Sequence, residues 1–229
     1  MIDIHAHLIP FVDDGGEDEE LAYQRLKEVE EIGVTDLILT PHFRYEFFET
    51  SKQKVREEYE KFVNGAKERG IKVNLHLGRE IHDSRYIKQD LESQEFFELH
   101  KNYALIEYNF VKECDIAESV YSLKHAGFNV IVAHFERYSY AKIETAEEVK
   151  SLGGEIQINA ASVVGAYGLK AKKFVNRLLK EGLVDYVASD VHSDLPNYLK
   201  KAHDNVVKLC GEEYAEKVFK TNALKLINK

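Results

Sequence analysis

Histidine and carboxylate side chains recur along this chain directly after short apolar runs, in a pattern that suits metal binding. The set comprises His5, His7, Asp14, His42, Glu80, Glu107, His134, Asp190 and His192. Carboxylates gathered at one place without cations would repel one another and raise one another's pKa. Divalent cations remove that conflict, and imidazole with carboxylate but without thiolate suits Mn, Fe or Zn. These residues predict a site for two or three divalent ions with open positions for water, as hydrolytic metal sites require.

The spacing within the set supports this prediction. His5-Ala6-His7 follows an apolar run, and side chains alternate along a strand, so both imidazoles should point the same way. Asp190-Val191-His192 repeats the spacing. One His-x-His pair is weak evidence by itself, since a packed polar pair or chance explains many of them, and a single Asp after a strand often caps a helix. The recurrence of histidines and carboxylates after successive strands along the whole chain favours the metal site.

The elements that position these residues are predicted to be strands that alternate with helices. The strands are Met1–Ile4, Val34–Thr40, Ile71–Leu77, Tyr103–Ile106, Phe128–Ala133, Glu155–Ile158 and Leu183–Ala188. Such alternation implies parallel strands, and one domain of this size favours a barrel of the (β/α) type, with a doubly wound open sheet as the alternative. In either fold the carboxyl ends of the strands meet at one edge, so the nine side chains should converge there.

Helix boundaries are predicted from glycines and capping boxes. A helical stretch ends in Gly before five of the strands, at Gly33, Gly70, Gly127, Gly153 and Gly182. Glycine just past a helix accepts the left-handed turn that leads the chain into a strand. Thr50 with Gln53 and Thr145 with Glu148 have capping-box spacing, which predicts two helix starts.

Composition narrows the class of protein. The 229 residues carry 31 Lys and Arg against 40 Asp and Glu, and a net charge of −9 argues against bulk binding to nucleic acid or anionic membranes. No apolar run approaches the roughly 18 residues of a membrane span, and the first residues do not resemble a signal peptide. Two cysteines, Cys114 and Cys210, form no disulfide framework, which predicts a reducing compartment, hence the cytoplasm. The chain is expected to be one domain over residues 1–229.

The remaining five histidines are predicted to be surface or supporting residues instead of ligands. They are His76, His82, His100, His125 and His203. Each lies inside a predicted strand, in a loop or on a helix, away from the strand ends.

Several segments resemble the PHP (polymerase and histidinol phosphatase) family. They are MIDIHAHLIPFVDDG at 1–15, TPH at 40–42, GREI at 78–81, ALIEY at 104–108, AHFERY at 133–138 and SDVH at 189–192. More narrowly, they are similar to the bacterial manganese-dependent tyrosine-protein phosphatases of capsule and exopolysaccharide synthesis. The matched segments run through the chain in order and are weakest after about residue 193.

The resemblance implies a distorted (β/α)7 TIM-like barrel, a single PHP-type metallophosphatase domain over 1–229, and a trinuclear site. It implies one ion held by His5, His7, Glu80 and Asp190, and a second held by Glu80, Glu107 and His134, with Glu80 bridging. A third ion would be held by Asp14, His42 and His192. Arg137 would contact the substrate phosphate. Manganese is the favoured metal, with Fe or Zn open.

The function predicted on this basis is hydrolysis of phosphomonoesters by metal-activated water. The favoured substrate is the phosphotyrosine tail of a cognate bacterial tyrosine kinase, and the alternative is a small phosphoester such as histidinol phosphate. A non-catalytic metal-binding module is a third possibility. Neither cysteine starts a Cys-x5-Arg sequence, so a cysteine phosphatase is excluded. Arg44, among the aromatic residues that follow His42, is predicted as a second substrate contact.

Overall fold

The computed structural model describes residues 1–92 and 102–227 as ten short strands and ten α-helices. The strands are β1 Ile2–His7, β2 Asp36–Leu39, β3 His42–Phe43, β4 Asn74–Leu77, β5 Glu80–His82, β6 Tyr103–Glu107, β7 Asn129–Val132, β8 Glu155–Asn159, β9 Tyr186–Ala188 and β10 Val191–His192. The helices are α1 Glu19–Glu31, α2 Lys52–Glu68, α3 Ile87–Glu92, α4 Ile116–His125, α5 Ile143–Ser151, α6 Ala160–Val164, α7 Leu169–Lys180, α8 Leu199–Cys210, α9 Glu212–Glu216 and α10 Leu224–Ile227.

All seven predicted strands are present, and three of them continue after a break. β3, β5 and β10 extend the runs begun by β2, β4 and β9. The first two breaks lie just before His42 and Glu80, and the third contains Asp190.

The strands form a distorted barrel in which every strand pairing is parallel. β1 pairs with β2, β2 with β4, β3 with β5, and β5 through β9 pair in chain order. β10 then pairs with β1 through Ala6 with Val191 and His7 with His192. The seventh run therefore joins the first and closes the ring. The predicted (β/α)7 barrel is confirmed over the open sheet.

The helix ends agree with the prediction, and the two predicted capping boxes do not. All five glycines have positive φ, between 69° and 92°, directly after the last helical turn. The cap of α2 is Ser51, whose side chain accepts from the backbone N–H of Lys54. α5 starts after Lys142, and Thr145 lies within the helix. Both capping-box predictions were wrong.

The apolar core has two parts, which together leave one end of the barrel for polar groups. A large cluster fills the space between the strands and the surrounding helices. A smaller cluster fills the barrel interior with Ile2, Ile4, Ile38, Leu105 and other strand residues, and Ala223 with Leu226 packs against it from the C-terminal segment. The interior is thus plugged with apolar side chains, and the polar ones collect at the carboxyl ends. Within the described residues, no helix is both long and apolar enough to cross a membrane.

Candidate metal centre

The two histidines of β1 form the inner floor of the site. The side chains of His5 and His7 are fully buried, and their Nε2 atoms lie 3.0 Å apart. Alternation along the strand places both imidazoles on one side, as the His-x-His spacing predicts. The backbone register of β1 against β2 shifts between Asp3 and Ala6, and such irregularities redirect side chains.

The outer nitrogens of these rings are fixed by oxygen acceptors. His5 Nδ1 lies 3.2 Å from the Gln157 side-chain oxygen, and His7 Nδ1 lies 2.8 Å from Asp13 Oδ2. An oxygen acceptor on Nδ1 places the proton there, so the Nε2 lone pairs of the neutral rings face each other. Two facing lone pairs repel, and either a proton in the metal-free protein or a shared metal ion removes the repulsion. This donor arrangement, with each ring held through its other nitrogen, fits a metal ion.

Glu80 lies at the centre of the cluster. Its Oε2 is 3.2 Å from His5 Nε2 and 3.3 Å from His7 Nε2, and its Oε1 is 2.8 Å from His134 Nε2. Asp190 Oδ1 lies 3.6 Å from Nε2 of both His5 and His7. Glu80 can therefore serve two neighbouring groups of donors at once, which is the geometry of a bridging carboxylate.

A second group surrounds the other side of Glu80. Glu107 Oε1 lies 3.7 Å from His134 Nε2, and His42 Nδ1 lies 2.9 Å from Glu80 Oε2. Burial and the charge of Glu80 raise the pKa of Glu107 to about 8. Among the described residues, Glu80 Oε2, Glu107 Oε2 and His42 Nδ1 are buried without a properly angled hydrogen bond. Buried polar atoms normally have partners. Close approach without hydrogen-bond geometry is what cation ligands show, so these residues also fit a metal.

The third group is the outermost. Asp14 Oδ1 lies 3.3 Å from His192 Nε2 and 3.6 Å from His42 Nε2. The His192 ring stacks on His7 with centroids 4.5 Å apart, which joins this group to the floor. Asp14 comes from the β1–α1 loop and is the most exposed of the nine, with 47% of its side chain accessible.

The backbone is strained at two of the strand ends. His134 has φ 30° and Asp190 has φ 51°, both in the left-handed region that non-glycine residues avoid. The N–H of His134 donates to the Gln157 side-chain oxygen at 2.7 Å, and the N–H of Asp190 donates to the carbonyl oxygen of His5 at 3.0 Å. Such strain persists where the surroundings over-determine it and clusters at functional sites.

The structure thus brings all nine predicted side chains to one edge of the barrel, and it adds supporting residues that the sequence analysis missed. Asp13 orients His7 and accepts the backbone N–H of His42 at 2.8 Å. Gln157 donates to the Asn159 side-chain oxygen, and Asn159 donates to Asp190 Oδ2 at 2.6 Å. Polar residues two apart in an otherwise apolar strand were the available signal.

A small cavity opens onto the cluster, and both predicted arginines line it. It measures about 210 Å³ and includes Phe48 and Phe110 in its wall. The Arg137 guanidinium lies 3.8 Å from Asp190 Oδ2 and 4.5 Å from the centre of the Phe110 ring. Arg44 lies 4.4 Å from the centre of the Phe47 ring. Two cations at the mouth of an acidic and imidazole-rich cavity suit an anionic ligand that also contacts metal ions.

The described histidines outside the set have contacts of their own outside the three donor groups. His76 contacts Asp36 at 3.0 Å, His125 contacts the Tyr121 carbonyl oxygen, and His82 contacts the carbonyl oxygen of Asp83. His203 lies 3.6 Å from Asp204. His100 falls outside the described residues.

The fold and the site together define a class: parallel α/β barrels with a cluster of histidine and carboxylate donors at the carboxyl edge. A sequence profile described as "Capsular polysaccharide synthesis, CpsB/CapC" matches residues 1–228. The chain belongs to this family, which confirms the resemblance found in the sequence.

Individual relatives agree along their whole length. The tyrosine-protein phosphatase CpsB of Streptococcus pneumoniae is 31% identical over 99% of this chain and 98% of its own. The putative tyrosine-protein phosphatase CapC of Staphylococcus aureus is 28% identical over 100% and 92%.

Solved structures extend the likeness to three dimensions. The crystal structures of YwqE from Bacillus subtilis and CpsB from Streptococcus pneumoniae, described as unique metal-dependent tyrosine phosphatases, include a chain with TM-score 0.92 and 27% identity over 100% of this chain and 95% of that one. A histidinol phosphate phosphatase from Lactococcus lactis shares the fold with TM-score 0.59 and 13% identity over 92% of this chain and 94% of that one.

Proposed function

We propose that this chain is a metal-dependent protein-tyrosine phosphatase. The observation that carries the proposal is the nine-donor cluster with Arg137 at the mouth of its cavity. The names of the full-length relatives support the same activity. The phosphotyrosine tail of a bacterial tyrosine kinase in polysaccharide synthesis is the proposed substrate. A single metallophosphatase domain over 1–229 is part of the proposal, and the family match along 1–228 supports it.

The proposed metal ligands are those that the family resemblance implies. The donor groups of the structure overlap with these sets without matching them one to one, since His42 lies with Glu80 and Glu107, and His7 lies with Asp14, His42 and His192. One ion would be held by His5, His7, Glu80 and Asp190. A second would be held by Glu80, Glu107 and His134, and a third by Asp14, His42 and His192. We propose manganese, with Fe or Zn compatible with the same imidazole and carboxylate donors. When bound, such ions activate water and offset charge on phosphoryl oxygens.

The chain's own residues bind and orient the phosphate. Arg137 can donate two parallel hydrogen bonds to neighbouring phosphoryl oxygens, and the Phe110 face holds its guanidinium in place. Arg44 would supply a second cation from the short hairpin in which its N–H donates to the Phe48 carbonyl oxygen at 2.9 Å. The Phe48 ring stacks on His42 with centroids 5.3 Å apart and offers an aromatic face to a tyrosine ring.

The proposed location is the cytoplasm. Cys114 and Cys210 are both free thiols, which fits a reducing compartment. Neither lies in the wall of the catalytic cavity, so a thiol nucleophile has no part in the proposed reaction.

The test is phosphate release by the manganese-loaded protein, with a phosphotyrosyl peptide and histidinol phosphate side by side. We expect faster turnover of the peptide, and a loss of about 10²–10³-fold in kcat for Arg137→Ala, the size seen when one charge-stabilising donor is removed. His134→Ala should lose activity together with bound metal.

Matched controls are available on the exposed helices. His125→Ala on α4 and Arg56→Ala on α2 remove the same residue types far from the cluster and should leave turnover unchanged. Preference for histidinol phosphate would show that the protein is a phosphatase of small-molecule esters. Metal binding without hydrolysis of either ester would make it a non-catalytic module.

A further inference from the structure

A second and larger cavity lies beside the catalytic one. It measures about 530 Å³, and its lining includes Lys170, Ala171 and Phe174 of α7 together with Tyr167. We call it the α7 cavity. Apolar side chains form part of its wall and polar ones the rest, which is the mixture expected of a binding site.

The two cavities share one wall residue, Arg137. Its guanidinium lies between the rings of Phe110, which lines the catalytic cavity, and Tyr167, which lines the α7 cavity, at 4.5 and 5.0 Å from their centres. The partition between the cavities is therefore one side chain thick. About two residues of extended polypeptide cross such a distance, so a peptide with its phosphotyrosine in one cavity would place a neighbouring residue in the other.

The start of α7 is electropositive in an otherwise acidic protein. The helix LKAKKFVNRLLK carries five cations and no acidic residue, whereas the whole chain has a net charge of −9. No ion pair holds Lys170 within the described part of the chain. Gly168 provides no side-chain cap, and no acidic residue lies in the first turn. The unpaired N–H groups and the positive end of the helix dipole thus add to the charge of Lys170.

We propose that the α7 cavity binds an acidic side chain, Asp or Glu, that flanks the phosphotyrosine in the protein substrate. The inference rests on the proposed phosphatase function and adds a sequence preference to it. Lys170 and the first turn of α7 would contact the carboxylate. The exposed side chains of Tyr167 and Leu169 would cover the adjacent peptide.

One acidic residue, Glu136, also lines the α7 cavity. Its Oε1 already accepts from the Ser162 hydroxyl at 2.6 Å and from the backbone N–H of Asn159 at 3.1 Å. Its Oε2 is buried and has no hydrogen-bond partner among the described residues, so the proposed carboxylate would bind at exposed Lys170 on the rim and not beside Glu136.

The experiment compares two phosphotyrosyl peptides that differ only in their flanking residues, Glu in one and Gln in the other. The manganese-loaded wild type should show a KM about fivefold lower for the Glu peptide, the size of an exposed charge contact assisted by a helix end. Lys170→Glu should abolish this preference. Turnover of p-nitrophenyl phosphate, which has no flanking residue, should stay unchanged.

The control is Lys180→Glu at the far end of α7, which makes the same change in net charge outside the cavity. It should keep the preference. Equal KM values for the two peptides in the wild type, or an equal loss in both variants, would overturn the proposal.

Two further outcomes can be distinguished from the loss of the peptide preference alone. Binding of phosphatidylserine vesicles that depends on Lys170, without any peptide preference, would assign the basic face of α7 to a lipid surface and overturn the proposal. Absence of hydrolysis for all three phosphoesters would contradict the phosphatase function itself. Hydrolysis without a preference would contradict only the inference about the α7 cavity.

Discussion

At the scale of single residues, the Gln157 side chain holds two strand ends together. Its oxygen lies within 3.2 Å of His5 Nδ1 and accepts the N–H of His134 at 2.7 Å. Its amide nitrogen donates to Asn159, which in turn donates to Asp190. One buried amide thereby fixes the His5 tautomer, the strained His134 backbone and the Asp190 carboxylate.

Replacing this amide should weaken metal binding without unfolding the protein. Gln157→Leu keeps a similar volume and removes all three polar contacts, so we expect the affinity for Mn²⁺ to fall about 10–100-fold, as for other residues that orient ligands. Calorimetric titration measures the affinity, and circular dichroism checks the fold. Gln53→Leu on the exposed face of α2 is the control. Equal affinity in both variants would show that Gln157 has no orienting role.

At the scale of elements, the glycine after each helix sets where the following strand begins. Gly127 follows α4 with φ 92°, and a Cβ built there would meet no atom within 4 Å. Only backbone conformation therefore opposes a side chain at this position.

Substitutions at Gly127 should separate backbone strain from packing. Gly127→Ala should lower the free energy of unfolding by about 1–2 kcal/mol, the cost of a left-handed residue with a Cβ. Gly127→Asn should cost less, because Asn tolerates this conformation. Chemical denaturation followed by circular dichroism suits a chain without Trp. Equal stability of the Gly127→Ala variant and the wild-type protein would contradict the assignment.

The helix starts were harder to predict than the helix ends. Thr50 and Ser51 are adjacent residues with similar capping ability, and only one can occupy the cap. The Thr50 hydroxyl donates instead to the Val12 carbonyl oxygen at 2.7 Å, and its own carbonyl oxygen accepts from buried Arg79 at 2.6 Å. These partners come from distant segments, so the choice between the two residues is made by tertiary contacts.

At the scale of the whole molecule, the converged charges should make the stability of the metal-free protein depend on pH. Burial alone lowers the pKa of His5 and His42, but the neighbouring carboxylates, Glu80 above all, outweigh it and raise these pKa values to about 9 and about 10. Each raised pKa means that the folded state keeps a proton which the unfolded state has lost. The resulting stabilisation is complete below pH 6.5 and disappears as the pH rises through 9 to 10.

Thermal unfolding with EDTA should therefore show a midpoint that falls between pH 6.5 and 9. Manganese replaces those protons, so the loaded protein, kept under nitrogen, should unfold at a higher temperature. The difference between the unfolding midpoints of the loaded and the metal-free protein should widen as the pH rises. Circular dichroism measures both midpoints. A gap that narrows with pH would contradict proton displacement from these histidines.

Local sequence was enough to predict the order of strands and helices, their parallel arrangement and the nine side chains that converge. Apolar periodicity, terminal glycines and donor residues after each strand are local properties, and the carboxyl ends of parallel strands meet at one edge. The spacing of His5 and His7 likewise set their common direction.

Other features depend on contacts between distant segments and could not be predicted from local patterns. Regular strand alternation would place the neighbouring residues Ile4 and His5 on opposite faces of β1. Both nevertheless face the inside of the barrel, Ile4 in the interior apolar cluster and His5 in the donor cluster. The β1–β2 register is irregular at this point. The roles of Gln157 and Asp13 come from hydrogen-bond partners tens of residues away. The role of Arg137 comes from its place in the wall that the two cavities share. The physical reason is that burial and hydrogen-bond geometry depend on where the ring closes, and the ring closes only when β10 pairs with β1.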